Sequence, residues 1–191
     1  MAASDRRARE QAARERLILD TARAIAEAEG WDAVTTRRLS TEIEYSQPVL
    51  YKHFAGKDQI AAAVAIEGFA ELAAALRASR TAAETAADAL ARMADAYLEF
   101  AAANAVVYEL MFVRRTTLRF ATEGVPVPLA AAFAELREGI SAVALDRDVD
   151  TLTEVFWAAL HGLVALARSE RLRSDYAAQR VRLLVEQFSA H

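Results

Sequence analysis

The sequence predicts an all-α protein, with a three-helix N-terminal head holding a helix-turn-helix and a C-terminal helical bundle behind it. Three observations carry this. Its 191 residues include only six glycines and three prolines against 54% hydrophobic residues, a composition that favours helix throughout. Apolar residues recur at helical spacing over most of the length. Two of the predicted helices are short, and the turn of about three or four residues between them is that of a helix-turn-helix.

The stretch Thr35 to Val64 organises the rest. Thr35 and Thr36 can cap a helix, and Leu39 and Ile43 follow on one face. The run breaks at Glu44-Tyr45-Ser46. Ser46 suits an N-cap, which puts Pro48 in the first turn, where a missing N–H costs least. The second helix is then expected to expose Gln47, Tyr51, Lys52 and His53 and to turn Leu50 and Phe54 inward.

These residues resemble the DNA-binding head of the TetR family of bacterial transcriptional repressors, whose signature runs T-x-x-x-L-A…G-V-S-x-x-x-L-Y-x-H/Y-F-x-x-K-x-x-L. Thr36, Leu39, Ser46, Leu50, Tyr51, His53, Phe54, Lys57 and Ile60 fall in register with it. Two positions depart. Ser40 stands where the family usually has alanine, and Glu44 where it usually has glycine, at a turn that often needs positive φ. A non-glycine residue there costs about 1 kcal/mol or forces another turn.

Residues 1–57 are read as the DNA-binding domain and residues 58–191 as the ligand-binding and dimerisation domain. Residues 1–10, with Arg6, Arg7 and Arg9, are expected to form a mobile arm. The alternative is a basic arm that reaches phosphates or the minor groove. From about Gln11 the pattern turns helical, with Leu17, Ile18, Ala22 and Ile25 on one face; Gly30 is placed to end that helix, and Trp31 and Val34 cap a small core. Gly56-Lys57-Asp58 opens a further helix, where Lys57 would reach a phosphate.

The C-terminal part is read as further long helices. One or two run through 83–121, including Leu118 and Phe120, with a break at Asn104 and Arg114 and Arg115 on a solvated turn. Glu123-Gly124-Val125-Pro126-Val127-Pro128 is a loop, and Leu129 to Val143 resumes the period. Thr151–Glu170, capped by Asp150 or Thr151, is apolar on much of its circumference and so buried on more than one side; Asp175–Ser189 closes the chain. Leu160, Val164, Ala167, Val181, Leu184, Val185 and Phe188 are the expected dimer contacts, because the resemblance implies a homodimer through the last two helices.

Composition narrows the function. Cysteine is absent, which excludes disulfides and thiolate chemistry. Only His53, His161 and His191 could join a metal site, and no P-loop, dinucleotide fingerprint or nucleophile motif occurs. No cofactor is expected and nothing asks for catalysis. No secretion signal is legible, and the apolar run Val155 to Ala167 is too short to span a bilayer, so no membrane partner is expected and a cytoplasmic location is. Net charge is −4, but residues 1–60 carry ten basic and ten acidic groups while the deficit lies beyond them, and the only lysines, Lys52 and Lys57, lie in the motif.

The expected function is therefore a homodimeric, ligand-responsive transcriptional regulator that binds a palindromic operator on double-stranded DNA. Gln47 is the candidate for a base edge, Val49 for a thymine methyl, and Lys52 or His53 for bases or phosphate. Thr36, Arg37, Tyr51 and Lys57 are expected to position the backbone, with Ser46 and Pro48 starting the reading helix. Trp157-Ala158-Ala159-Leu160-His161-Gly162 resembles a W-x-x-x-H-G signature of one TetR subgroup. The resemblance implies release by a small molecule; Tyr97, Phe100, Tyr108, Met111, Phe112, Trp157 and His161 are the expected cavity, suited to an apolar or aromatic effector. A helical interaction protein with a head that no longer binds DNA is the alternative, and an all-helical enzyme a weaker one.

Overall fold

No glycine or proline precedes Gly30, so nothing interrupts the first helix: α1 runs from Ala2 to Glu29. The computed structural model describes residues 2–114 and 126–189. Residues expected as a mobile arm thus continue α1, with an Arg6–Glu10 pair at 3.5 Å one turn apart along it. Gly30 ends the helix at φ 84, a left-handed C′ residue whose N–H reaches the Ala26 carbonyl at 2.8 Å. A 3₁₀ turn, Trp31–Ala33, buries Trp31. Two short helices follow, α2 (Thr36–Glu42) and α3 (Gln47–Tyr51), and then the long α4 (Lys57–Thr81). α5 spans Ala86–Ala103 and α6 spans Ala105–Phe112, with the expected break at Asn104.

Two compact units divide the chain: the described residues of Met1–Gly68 with Asn104–Glu123, and those of Phe69–Ala103 with Gly124–His191. The division falls inside α4 rather than after residue 57, and α6 belongs to the first unit. In that unit Ile18, Ala22, Trp31, Leu39, Leu50 and Ile60 form the core. α6 packs on α1, and Arg23 donates to the Asn104 amide oxygen at 2.6 Å. Gly68 allows this closeness: a Cβ there would stand 2.5 Å from Val107 Cγ1 and 2.7 Å from Met111 Sδ. Arg114 binds Asp32 at 2.9 Å and Glu109 at 2.7 Å, and these contacts hold its guanidinium charged and lower the Asp32 carboxyl.

The second unit packs α5 against α7 (Val127–Ser141), α8 (Val149–Arg168) and α9 (Ala177–Ser189). Two expectations change here. Of the predicted loop, residues 123–125 lie outside the described residues, as do Arg115, Leu118 and Phe120. Pro126 caps α7, and Pro128 sits in its first turn, where proline is tolerated. Asp148, not Asp150 or Thr151, caps α8, its carboxylate accepting the Thr151 N–H at 2.8 Å. Phe156 and Phe188 meet edge to face at 5.1 Å. Arg147 donates to the Phe188 carbonyl at 2.8 Å, tying the end of α9 to the α7–α8 turn.

α4 and α8 are both long and apolar enough, by length and composition, to cross a membrane; the run from Val155 sits in a helix of 20 residues. Of the apolar window in α4, 56% is buried within the protein, as in a core helix, but only 22% of that in α8 is. α8 therefore keeps an uncovered apolar side.

Candidate functional site

The helix-turn-helix is built by local chemistry. Thr35 caps α2 by accepting the Arg38 N–H at 3.1 Å. The turn after α2 closes as a Schellman-type cap, with the Tyr45 N–H on the Ser40 carbonyl at 2.9 Å and the Glu44 N–H on that of Thr41 at 3.3 Å. Glu44 takes φ 55 to allow it, so the substitution keeps the turn and carries strain. Ser46 occupies the N-cap of α3 without a side-chain cap bond. Leu39 and Leu50 are fully buried between the helices, and the Thr36 and Tyr51 hydroxyls lie 3.4 Å apart across them.

The outer face of α3 is open. Ser46, Gln47, Pro48, Tyr51 and Lys52 are exposed and Val49 is half-buried; Arg37 on α2 is exposed as well. Two predicted members leave this set. The His53 side chain is only 9% exposed and its Nδ1 sits 3.4 Å from Glu15 of α1, since it follows α3 on the side that meets α1. Lys57 donates to the Trp31 carbonyl at 2.8 Å and lies 5.6 Å from the Trp31 ring, so it staples the head instead of projecting from it.

Sequence reasoning missed Glu15 and Arg38. Arg38 forks onto Glu29 with two bonds of 2.6 Å, locking α2 to the end of α1. Among the described residues no cluster of His, Asp or Glu has the makeup of a metal site.

Comparison with known families matches residues 18–64 to the bacterial regulatory proteins of the tetR family and residues 90–188 to the tetracyclin repressor-like C-terminal domain. The chain belongs to the TetR family. The fold of this TetR-family chain is also that of solved structures. A Rhodococcus sp. RHA1 protein of unknown function shares 24% identity at a TM-score of 0.74, covering 92% of this chain and 93% of that one. A tetR-family regulatory protein from Rhodococcus RHA1 shares 20% at 0.64, over 93% and 97%. The fatty acid degradation regulator FadR of Bacillus halodurans shares 11% at 0.66, over 92% and 94%. No curated protein sequence matches. Members of the family are regulators of transcription rather than enzymes, and the head described above is the family's DNA-binding module.

In this TetR-family regulator the expected cavity residues divide. Tyr108, Met111 and Phe112 lie on α6 in the first unit, where the Tyr108 and Phe112 rings meet at 4.8 Å. Tyr97, Phe100, Trp157 and His161 lie in the second unit. There the Trp157 indole N–H donates to the Tyr97 hydroxyl at 3.1 Å. One turn on, burial pushes the His161 imidazole below its usual pKa, favouring the neutral ring. A groove of about 180 Å³ opens elsewhere in this unit, between Leu98, Leu163, Leu172 and Ala177, and holds none of the seven.

The predicted dimer contacts are largely used inside the protomer. Leu160, Val164, Val181, Val185 and Phe188 are buried, Leu184 is half-buried, and only Ala167 is exposed. The uncovered side of α8 is a different stripe: Val155, Ala158, Ala165 and Leu166 are exposed around a half-buried Gly162, and Leu183 of α9 is exposed too. A helix apolar all round offers two stripes, and the sequence gives no phase that chooses between them.

Proposed function

We propose that this regulator is a homodimeric repressor that binds a palindromic operator and lets it go when a small apolar or aromatic molecule binds its second unit. The observation that carries the reading is the open α3 face, with Gln47, Tyr51 and Lys52 exposed while the helices beneath are held by Leu39, Leu50 and the Glu29–Arg38 fork. Gln47 can pair with an adenine edge, Val49 can meet a thymine methyl, and Lys52 and Arg37 can contact phosphates. Two copies related by a twofold axis would read half-sites about one helical turn apart.

Dimerisation is supported by the uncovered stripe of α8. A Cβ added at Gly162 meets nothing within 4 Å, so the protomer itself gives no reason for glycine there, whereas close approach of a second α8 does. Tyr97, Trp157 and His161 are the polar groups around which an effector would sit. The effector releases DNA only as far as it prefers the dimer geometry that does not fit the operator.

Selecting bound duplexes from random DNA tests the proposal. A palindromic consensus is expected, with binding that weakens steeply with salt and loses discrimination at one position per half-site in Gln47→Ala. Failure to enrich any sequence at low salt would overturn it.

A further inference from the structure

The first half of α1 is left over once the head is assembled. Residues 5–14 are all exposed, and they contribute nothing to the core, which starts at Ile18. Good helix formers let the segment continue α1, but its side chains do nothing for the packing of the head. We infer that this half of α1 is a second DNA-contacting element, a rigid basic prong that grips phosphates beside the half-site read by α3; the inference rests on the DNA-binding reading of the head.

Two contacts set its direction. Near its C-terminal end α1 is held to α6 through Arg23 and Asn104. Further toward its N-terminus Glu15 meets His53, the residue two beyond the end of α3. The helix therefore runs from the α6 side of the head to the α3 side and then past it. From Glu15 to Asp5 it continues for about 15 Å at 1.5 Å per residue. That is longer than the roughly 12 Å width of the major groove, enough for the prong to meet backbone flanking the half-site when α3 is docked.

Its charges suit phosphate. Arg7 and Arg14 are seven residues apart, on one face, separated by about 10 Å along the axis. Each strand of a duplex offers one phosphate per roughly 3.4 Å of helix axis, so both can be engaged at once. Arg7, Arg14 and Arg16 have no hydrogen-bond or ion-pair partner among the described residues. Two of the acidic groups nearby have other contacts: Glu10 pairs with Arg6, and Glu15 accepts from Gln11 at 2.9 Å and faces His53.

The test measures the affinity of the full chain for its selected duplex and for a random duplex over a range of salt. In Arg7→Gln/Arg14→Gln, the slope of log K against log salt is expected to fall by about two, one per lost phosphate contact, and affinity for both duplexes to fall by the same factor. Arg92→Gln/Arg182→Gln, an equal charge change outside the head unit, controls for net charge and should leave the slope in place. An unchanged slope in the Arg7/Arg14 variant would overturn the prong and leave the reading of α3 standing. Wild-type protein that binds neither duplex would overturn both.

Discussion

Lys57 donates from its ammonium to the Trp31 carbonyl oxygen at 2.8 Å while resting 5.6 Å from the Trp31 ring centroid. This joins the start of α4 to the turn that follows α1. The carbonyl belongs to the 3₁₀ turn closing α1, so the cation meets a partial negative charge as well as a ring face. Lys57→Ala is expected to cost about 1–2 kcal/mol of stability, the scale of one half-buried charged hydrogen bond. Urea unfolding checks it. Any loss of DNA affinity in this variant should scale with the unfolded fraction, and a large loss at unchanged stability would instead make Lys57 a phosphate contact.

Glu44 holds φ 55 in the turn between α2 and α3. A left-handed L-residue costs about 1–2 kcal/mol, and glycine gives back part of that gain through its freer unfolded chain. Glu44→Gly should therefore raise stability by about 0.5–1 kcal/mol, with DNA affinity unchanged because the Schellman-type closure stays as it is. A lower melting temperature in the glycine variant would contradict this account of the turn.

Glu135 is buried on α7 with its two oxygens on Arg77 at 2.7 Å and Arg80 at 2.8 Å, both from α4. Burial pushes its carboxyl upward, but the hydrogen bonds and charges of the two arginines outweigh that and leave it below the usual 4.5. A carboxylate whose pKa is depressed on folding contributes its stability in full above the unfolded value. The contribution drains as pH falls through the folded one. Glu135→Gln is expected to lose about 1–3 kcal/mol at neutral pH. As pH falls below about 4.5 the unfolded carboxyl protonates first, and the two proteins should converge until the native carboxyl is protonated as well. Parallel stability curves across that range would count against the pair.

What could be read from the sequence follows the range of the interactions. The cap at Thr35, the stop at Gly30 and the break at Asn104 are local and were legible, and the motif from Thr36 to Ile60 carried the family. Helical periodicity exposes His53 and the helix start at Gly56 offers Lys57 to a phosphate, because both readings take one helix at a time. Their partners, Glu15 and Trp31, lie 38 and 26 residues away. The continuation of α1 through residues 2–10 was missed for the opposite reason: a polar segment without an apolar stripe gives periodicity nothing to detect, though no breaker interrupts it. α6 joins the first unit through Gly68, Val107 and Met111, whose fit is a matter of shape.

Gly162 offers the sharpest test of assembly, because the protomer and the proposed dimer want opposite things there. Within the protomer a larger side chain has open space, and replacing a mid-helix glycine gains up to about 1 kcal/mol of helix propensity. Across a close α8–α8 crossing the same side chain would push the two backbones apart and uncover Val155 and Leu166, which are 53% and 41% exposed in the single chain. Gly162→Leu should thus melt no lower than wild type when diluted to monomer. It should sediment as a monomer at concentrations where wild type is a dimer, and bind a palindromic duplex far more weakly than wild type does. If the variant remains a dimer of unaltered affinity, α8 does not cross its copy at this residue and the twofold axis must pass through another face.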